Sequence, residues 1–252
     1  MPHSHRGRQL LPLIMNAVVV LIGGGHAAGK RTTAQWIMND IKKVISGPLD
    51  VEVIDMDDYC SQKCLSVGQE HDKNAAITVN ENKTVSVPKP SRYDFSALHK
   101  HIEQSASSST TSKKVIIVHG LYALYEKSIR DLSHIKVFIS GDADSRLIRW
   151  IRRDVLGKHK TVQLENIINA YLHGAKQEMN DYIFPTKEQA DVIMPRGAEA
   201  NAVSLIVDGL LPLLSPNEKM PEPSSPNVLR PTEHSFKNEK FDAQKNKYYD
   251  VA

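Results

Sequence analysis

The chain has 252 residues, 40% of them hydrophobic and 24% charged, enough for one sizeable core of about 200 residues with chain left over. A net charge of +3 gives no global sign of a surface built to coat nucleic acid, so any anion site has to be local. Two cysteines, Cys60 and Cys64, are too few for a zinc tetrad or a disulfide framework; they read as thiols of a reducing compartment, the cytoplasm or the nucleus.

In chain order, residues 1–16 read as a flexible extension. Arg6 and Arg8 ahead of the apolar stretch Leu10 to Ile22 have the look of a short secretory leader, but Pro12 and Asn16 interrupt it and Ala17 to Ile22 is needed as a buried strand. No uninterrupted apolar run approaches the roughly 20 residues that span a bilayer, so no membrane partner is expected. Helical patterning follows over Thr32 to Ile45, then a strand at Val51 to Ile54, a helix at Phe95 to Gln104, and strands at Val115 to Val118 and Ile135 to Ile139. Two further helical stretches, Asp142 to Leu156 and Val162 to Ile183, precede a last strand at Asp191 to Met194. Short β-rich runs separated by helices imply parallel strands joined by crossovers, so the expected fold is α/β, a five-stranded parallel sheet with helices on both faces. Cys60 to Pro90 is polar and long for an ordinary connection, and Ser105 to Ser112 reads as a low-complexity linker. After Leu214 large apolar residues thin out. Residues 17–214 are therefore expected to fold as one domain and 215–252 to form a disordered tail.

Residues 24–32 read Gly24-Gly25-His26-Ala27-Ala28-Gly29-Lys30-Arg31-Thr32, between a strand and a helix. This is close to G-x-x-x-x-G-K-[ST], in which glycines let backbone amides turn toward phosphates, the helix N-terminus adds its positive end and Lys30 reaches the outer phosphates. A glycine-rich turn with a surface lysine is the plainer reading, and it does not require a strand before and a helix after. The residue following the lysine should be a hydroxyl for magnesium, and here it is Arg31. Thr32, about 100° further round the helix, is a weak substitute, so magnesium is expected at a degraded site. At the end of the second strand, Asp55, Asp57 and Asp58 face the ligand side of an open sheet. Asp57 is the candidate catalytic group with Lys30, accepting the proton of an acceptor hydroxyl. Taken alone, those carboxylates form a solvated turn; beside a phosphate loop they read as a site.

Asp142-Ala143-Asp144-Ser145-Arg146-Leu147-Ile148-Arg149, then Arg153-Asp154, and the stretch Phe184 to Gly197 with its Pro185-Thr186-Lys187 and Pro195-Arg196-Gly197, resemble the uridine kinase family over roughly residues 17–212, its divergent fungal members above all. The resemblance implies a P-loop NTPase fold of nucleoside and nucleotide kinase type with a small basic lid. It implies transfer of phosphate from ATP or GTP to the 5′-hydroxyl of a nucleoside such as uridine or cytidine, in pyrimidine salvage. Asp57 matches the catalytic aspartate of D-x-[FY], which brings in Tyr59. Tyr93-Asp94 resembles the aromatic-Asp pair whose carboxylate holds the ribose; Asp94 is equally placed to cap the helix that follows. Arg146, Arg149 and Arg153 lie three and four apart on one helical face, and Arg149, Arg153, Lys158 and Lys160 are the candidate lid cations. The implied partner is a small-molecule nucleoside, with neither nucleic acid nor membrane, and oligomeric state is not legible.

Departures from the family are specific. His119-Gly120 stands where the family has Glu-Gly, whose carboxylate helps hold magnesium, and an imidazole is a poor ligand for a hard cation. Lys158-His159-Lys160 stands for arginine-glycine-arginine, and Trp150 for a further arginine. About 20 residues between Asp94 and Val115 leave no room for the family's base-recognition hairpin, unless Lys83 to Pro88 with Tyr93 to Phe95 supplies it, in which case the ribose carboxylate is absent. Two alternatives therefore stand beside the nucleoside kinase: a catalytically impaired protein that binds nucleotide or a protein partner, and a kinase for another small riboside such as nicotinamide riboside.

Overall fold

β1 (Ala17–Gly24) is buried along its whole length, because it has a parallel neighbour on each edge and helices over both faces. The computed structural model describes residues 17–45, 47–60, 88–108, 113–157 and 163–214, together with the backbone of 78–79 and 85–86. The expected extension 1–16, the tail 215–252, Cys64 and the lid residues Lys158 and Lys160 lie outside the described residues.

After β1 come α1 (Lys30–Val44) and β2 (Leu49–Asp55). β3 (Thr78–Val79) and β4 (Val85–Ser86) pair antiparallel in a two-stranded sheet of their own. Then follow α2 (Phe95–Ser107), β5 (Lys113–His119), α3 (Lys127–Asp131), β6 (Ile135–Ile139) and α4 (Ala143–Asp154). α5 (Leu164–Ala170) runs through a π turn (Tyr171–Ala175) into α6 (Lys176–Glu178) and a second π turn (Met179–Ile183), before β7 (Val192–Met194) and α7 (Ala200–Leu214). The main sheet is entirely parallel, in the order β2-β5-β1-β6-β7. That is the five-stranded sheet expected from the sequence.

Alternation along the strands divides the core in two. Val19 and Leu21 of β1, Ile116 and Val118 of β5 and Phe138 of β6 pack with Leu98 and Ile102 of α2 and with Tyr122, Leu124 and Ile183. Val18, Val20, Ile22, Val115, Ile117, Val137 and Ile139 turn the other way, against Ala34, Ile37 and Ile41 of α1 and Val203, Ile206, Val207 and Leu210 of α7. A third, smaller cluster joins Trp150 of α4 to Ile167 and Ala175, with Ala27 of the loop against it. α3 and α7 are not among the helices read from the sequence, although the buried residues of α7 recur at the helical spacing. The helix expected over Val162 to Ile183 is present from Leu164, as α5 followed by two π turns with α6 between them.

Candidate active site

Strand register brings the candidate residues to one edge of the sheet. Asp55 at the end of β2 pairs with His119 at the end of β5, and His119 pairs with Ile22, two residues before the loop. This is the carboxyl edge, where open α/β sheets place their ligands. Gly24 leaves the strand at φ +143°, and a Cβ there would lie 2.6 Å from the carbonyl oxygen of Ile139, so only glycine fits. Gly29, at φ +105°, is the N-cap of α1. Between them the loop closes on itself: Ala28 N–H donates to Gly25 O at 3.3 Å, and Lys30 Nζ donates to the same oxygen at 2.8 Å.

Burial lowers the Lys30 ammonium to about 8; Asp57 opposes that shift, and the Arg153 charge adds to it. Asp57 lies in the short 3₁₀ turn Met56–Tyr59, its N–H donating to the capping Asp55 Oδ1 at 3.1 Å. Its own Oδ1 accepts from the Tyr93 hydroxyl at 2.8 Å. Asp94 N–H donates to Tyr59 O at 2.8 Å, and Cys60 bridges Tyr93, so the Asp57 turn and the Tyr93-Asp94 segment are fastened together. The Asp94 side chain is exposed and Oδ1 accepts from Ala97 N–H at 2.9 Å, which makes it the cap of α2. Tyr59 is held from behind, its hydroxyl bonded to His101 Nδ1, whose Nε2 lies 3.1 Å from Glu52 Oε1. A cleft of about 840 Å³ runs from Tyr93 and Asp94 along α2 past His99 and Lys100, with Glu126 on its far wall; Asp57 and Lys30 do not line it.

Two arginines of α4, Arg146 and Arg149, lie on the loop. Arg146 is 8% exposed, donates from Nε to Gly141 O at 3.0 Å, and covers Gly25. Arg149 donates to Ala28 O at 3.4 Å and to Arg196 O at 2.9 Å, tying the loop to the Pro195-Arg196-Gly197 segment. Arg153 grips Asp154 through both Nε and Nη2. The indole of Trp150 stacks on the His26 imidazole, centroids 4.9 Å apart and planes within 11°.

The donor set does not fit magnesium. Arg31 and Thr32 are both exposed on the first turn of α1. His119 is 5% exposed with Nδ1 3.7 Å from Asp55 Oδ1; burial lowers its pKa against the pull of that carboxylate, leaving a neutral imidazole. Asp57 already accepts from Tyr93. Among the described residues no three His, Cys, Asp or Glu side chains could hold a metal ion together. Nor is any described helix long and apolar enough to cross a membrane.

Glu178, with Arg92 and Tyr122 around it, was invisible to sequence reasoning. A lone carboxylate in a polar helical stretch carries no sign that it will be completely buried behind the loop, as Glu178 is.

Residues 80–203 match the family described as Phosphoribulokinase / Uridine kinase. Among similar proteins, DAS2 of Saccharomyces cerevisiae, a provisionally named uridine kinase, is 29% identical over 239 residues, covering 93% of this chain and 96% of its own. The uridine kinase of Staphylococcus haemolyticus is 30% identical over 200 residues, 75% of this chain and 92% of its own. Uridine-cytidine kinase B of Dictyostelium discoideum is 29% identical over 211 residues, 79% of this chain and 84% of its own.

Proposed function

Since the chain belongs to the phosphoribulokinase / uridine kinase family, we propose that it transfers the γ-phosphate of ATP, or GTP, to the 5′-hydroxyl of a ribonucleoside such as uridine or cytidine. The observation carrying this reading is the opposition of Lys30 and Asp57 at the sheet edge: of all the charges acting on the lysine, Asp57 is the strongest. In this mechanism Lys30 leaves the Gly25 carbonyl for the outer phosphates, which join the loop amides and the N-terminus of α1. The acceptor hydroxyl hydrogen-bonds to Asp57 Oδ2, Oδ1 being taken by Tyr93. As the O–H proton passes to Asp57, the hydroxyl oxygen bonds to the γ-phosphorus and the bond from that phosphorus to the β,γ-bridging oxygen breaks, releasing ADP. Arg146, Arg149 and Arg153 supply positive charge beside the loop. The test is direct: purified protein with ATP and a nucleoside panel yields a 5′-monophosphate, and Asp57→Asn abolishes it. No product with any nucleoside sinks the reading.

Arg31 and His119 favour a second reading, a nucleotide-binding protein with little turnover, in which arginine carries the charge that a metal ion carries elsewhere. ATP binding that ignores chelation of magnesium, with no product across the panel, selects it.

A further inference from the structure

Glu178 has no solvent exposure and lies in the single helical turn between two π turns, a winding that recurs at functional sites. Its Oε2 is 2.9 Å from Nε2 of His26, the third residue of the phosphate loop. Its Oε1 accepts from Arg92 Nη2 and from the Tyr122 hydroxyl, each at 2.5 Å. The neighbouring Met179 covers Gly25, its Sδ 2.9 Å from where a Cβ on that glycine would stand. The other face of the His26 contact is the Trp150 stack.

The charges balance. Burial lowers the His26 pKa more than Glu178 raises it, so the ring is neutral and Nε2 is the donor. Burial alone would push the Glu178 carboxyl up; the hydrogen bond from His26, the Arg92 charge and the Tyr122 hydroxyl outweigh it and hold the group ionised. The cluster thus contains one anion and one cation, with both carboxylate oxygens hydrogen-bonded, the arrangement in which a buried ion pair withstands its desolvation. It also couples two sides of the site, since Arg92 precedes Tyr93, which holds Asp57.

We propose that Glu178 is a positioning residue for the phosphate loop, fixing the His26 side chain inward so that the backbone amides of Gly25 to Gly29 stay turned toward a bound polyphosphate. The proposal rests on reading that loop as the nucleotide cradle. A loop held in its bound shape beforehand loses less entropy when the ligand arrives.

The test uses two variants of the full chain and one measurement that needs no ligand. His26→Ala cuts the loop's end of the contact while leaving Glu178 with Arg92 and Tyr122. His26→Gln retains an amide that can donate to Glu178. In ¹⁵N relaxation of the ligand-free protein, the order parameters of residues 25–29 are expected to fall from about 0.85 to below about 0.6 in His26→Ala and to recover in His26→Gln, with β1 and β5 unaffected. Titrated with ATP and with uridine, His26→Ala is expected to weaken ATP by about tenfold and leave uridine unchanged. Native order parameters in His26→Ala, or a His26→Gln loop as mobile as that of His26→Ala, overturns the proposal. If the native chain fails to bind ATP, the cradle reading falls, while the relaxation data still decide whether Glu178 orders the loop.

Discussion

Tyr93 pins Asp57. The phenol is 6% exposed, packed edge-on against Tyr122, and its hydroxyl donates to Asp57 Oδ1 at 2.8 Å. Burial first, and then the nearby Asp57 carboxylate, push the phenol's pKa well up, so it stays a donor at every physiological pH. One carboxylate oxygen is therefore committed to Tyr93, and in the proposed reaction the other takes the acceptor hydroxyl.

Removing that hydroxyl should slow turnover without unfolding the chain. Tyr93→Phe is expected to cut kcat about tenfold, the scale of a hydrogen bond to a charged group, against about a thousandfold or more for Asp57→Asn. Nucleoside-dependent ADP release measures both, and a Tyr93→Phe enzyme with native kcat would remove Tyr93 from the mechanism.

Lys30 sets a pH dependence of determinate sign. Its folded value of about 8 lies below the ordinary lysine value, so between the two the unfolded chain holds more protons. In that window this group makes stability rise with pH and removes the charge that phosphates need. ATP affinity is expected to fall about tenfold from pH 7 to pH 9, with proton uptake on binding near pH 8 seen calorimetrically in buffers of different ionisation enthalpy. Flat affinity across that range would place Lys30 away from the phosphates.

Magnesium should matter little to nucleotide binding. With Arg31 following the lysine and a neutral His119 at the strand end, chelation is expected to change ATP affinity by less than about threefold. Arg31→Ser restores a hydroxyl, and magnesium is then expected to strengthen ATP binding by about tenfold. An unsubstituted chain that loses ATP on chelation contradicts this.

The two roles open to Asp94 separate by substitution. Asp94→Ala is expected to destabilise the protein by about 1 kcal/mol through loss of the α2 cap, whereas Asp94→Asn keeps most of the cap. If Asp94 also holds a ribose, Asp94→Asn weakens nucleoside binding at native melting temperature. Unchanged nucleoside affinity in Asp94→Asn leaves it a cap alone.

The sequence by itself determined the frame, because frame-forming signals are local. Short β-branched apolar runs ending in glycine, such as Val18 to Ile22, read as strands buried on both faces, the spacing of Lys30 after Gly24 places a helix start behind a turn, and Pro195-Arg196-Gly197 marks lineage. α7 is equally written in its residue spacing, with Val203, Ile206, Val207, Leu210 and Leu214 buried, but no recognisable motif accompanies it. Contacts between distant residues were decided only by the tertiary structure. Glu178 lies 152 positions from His26, Tyr93 lies 36 from Asp57, and Trp150 stacks on a loop that begins the domain. Nothing local distinguishes a glutamate on a solvated helix from one that two π turns rotate into the interior. The difference is a matter of which side chains surround it once the sheet has closed, and only there do burial and counter-charge acquire their cost and their compensation.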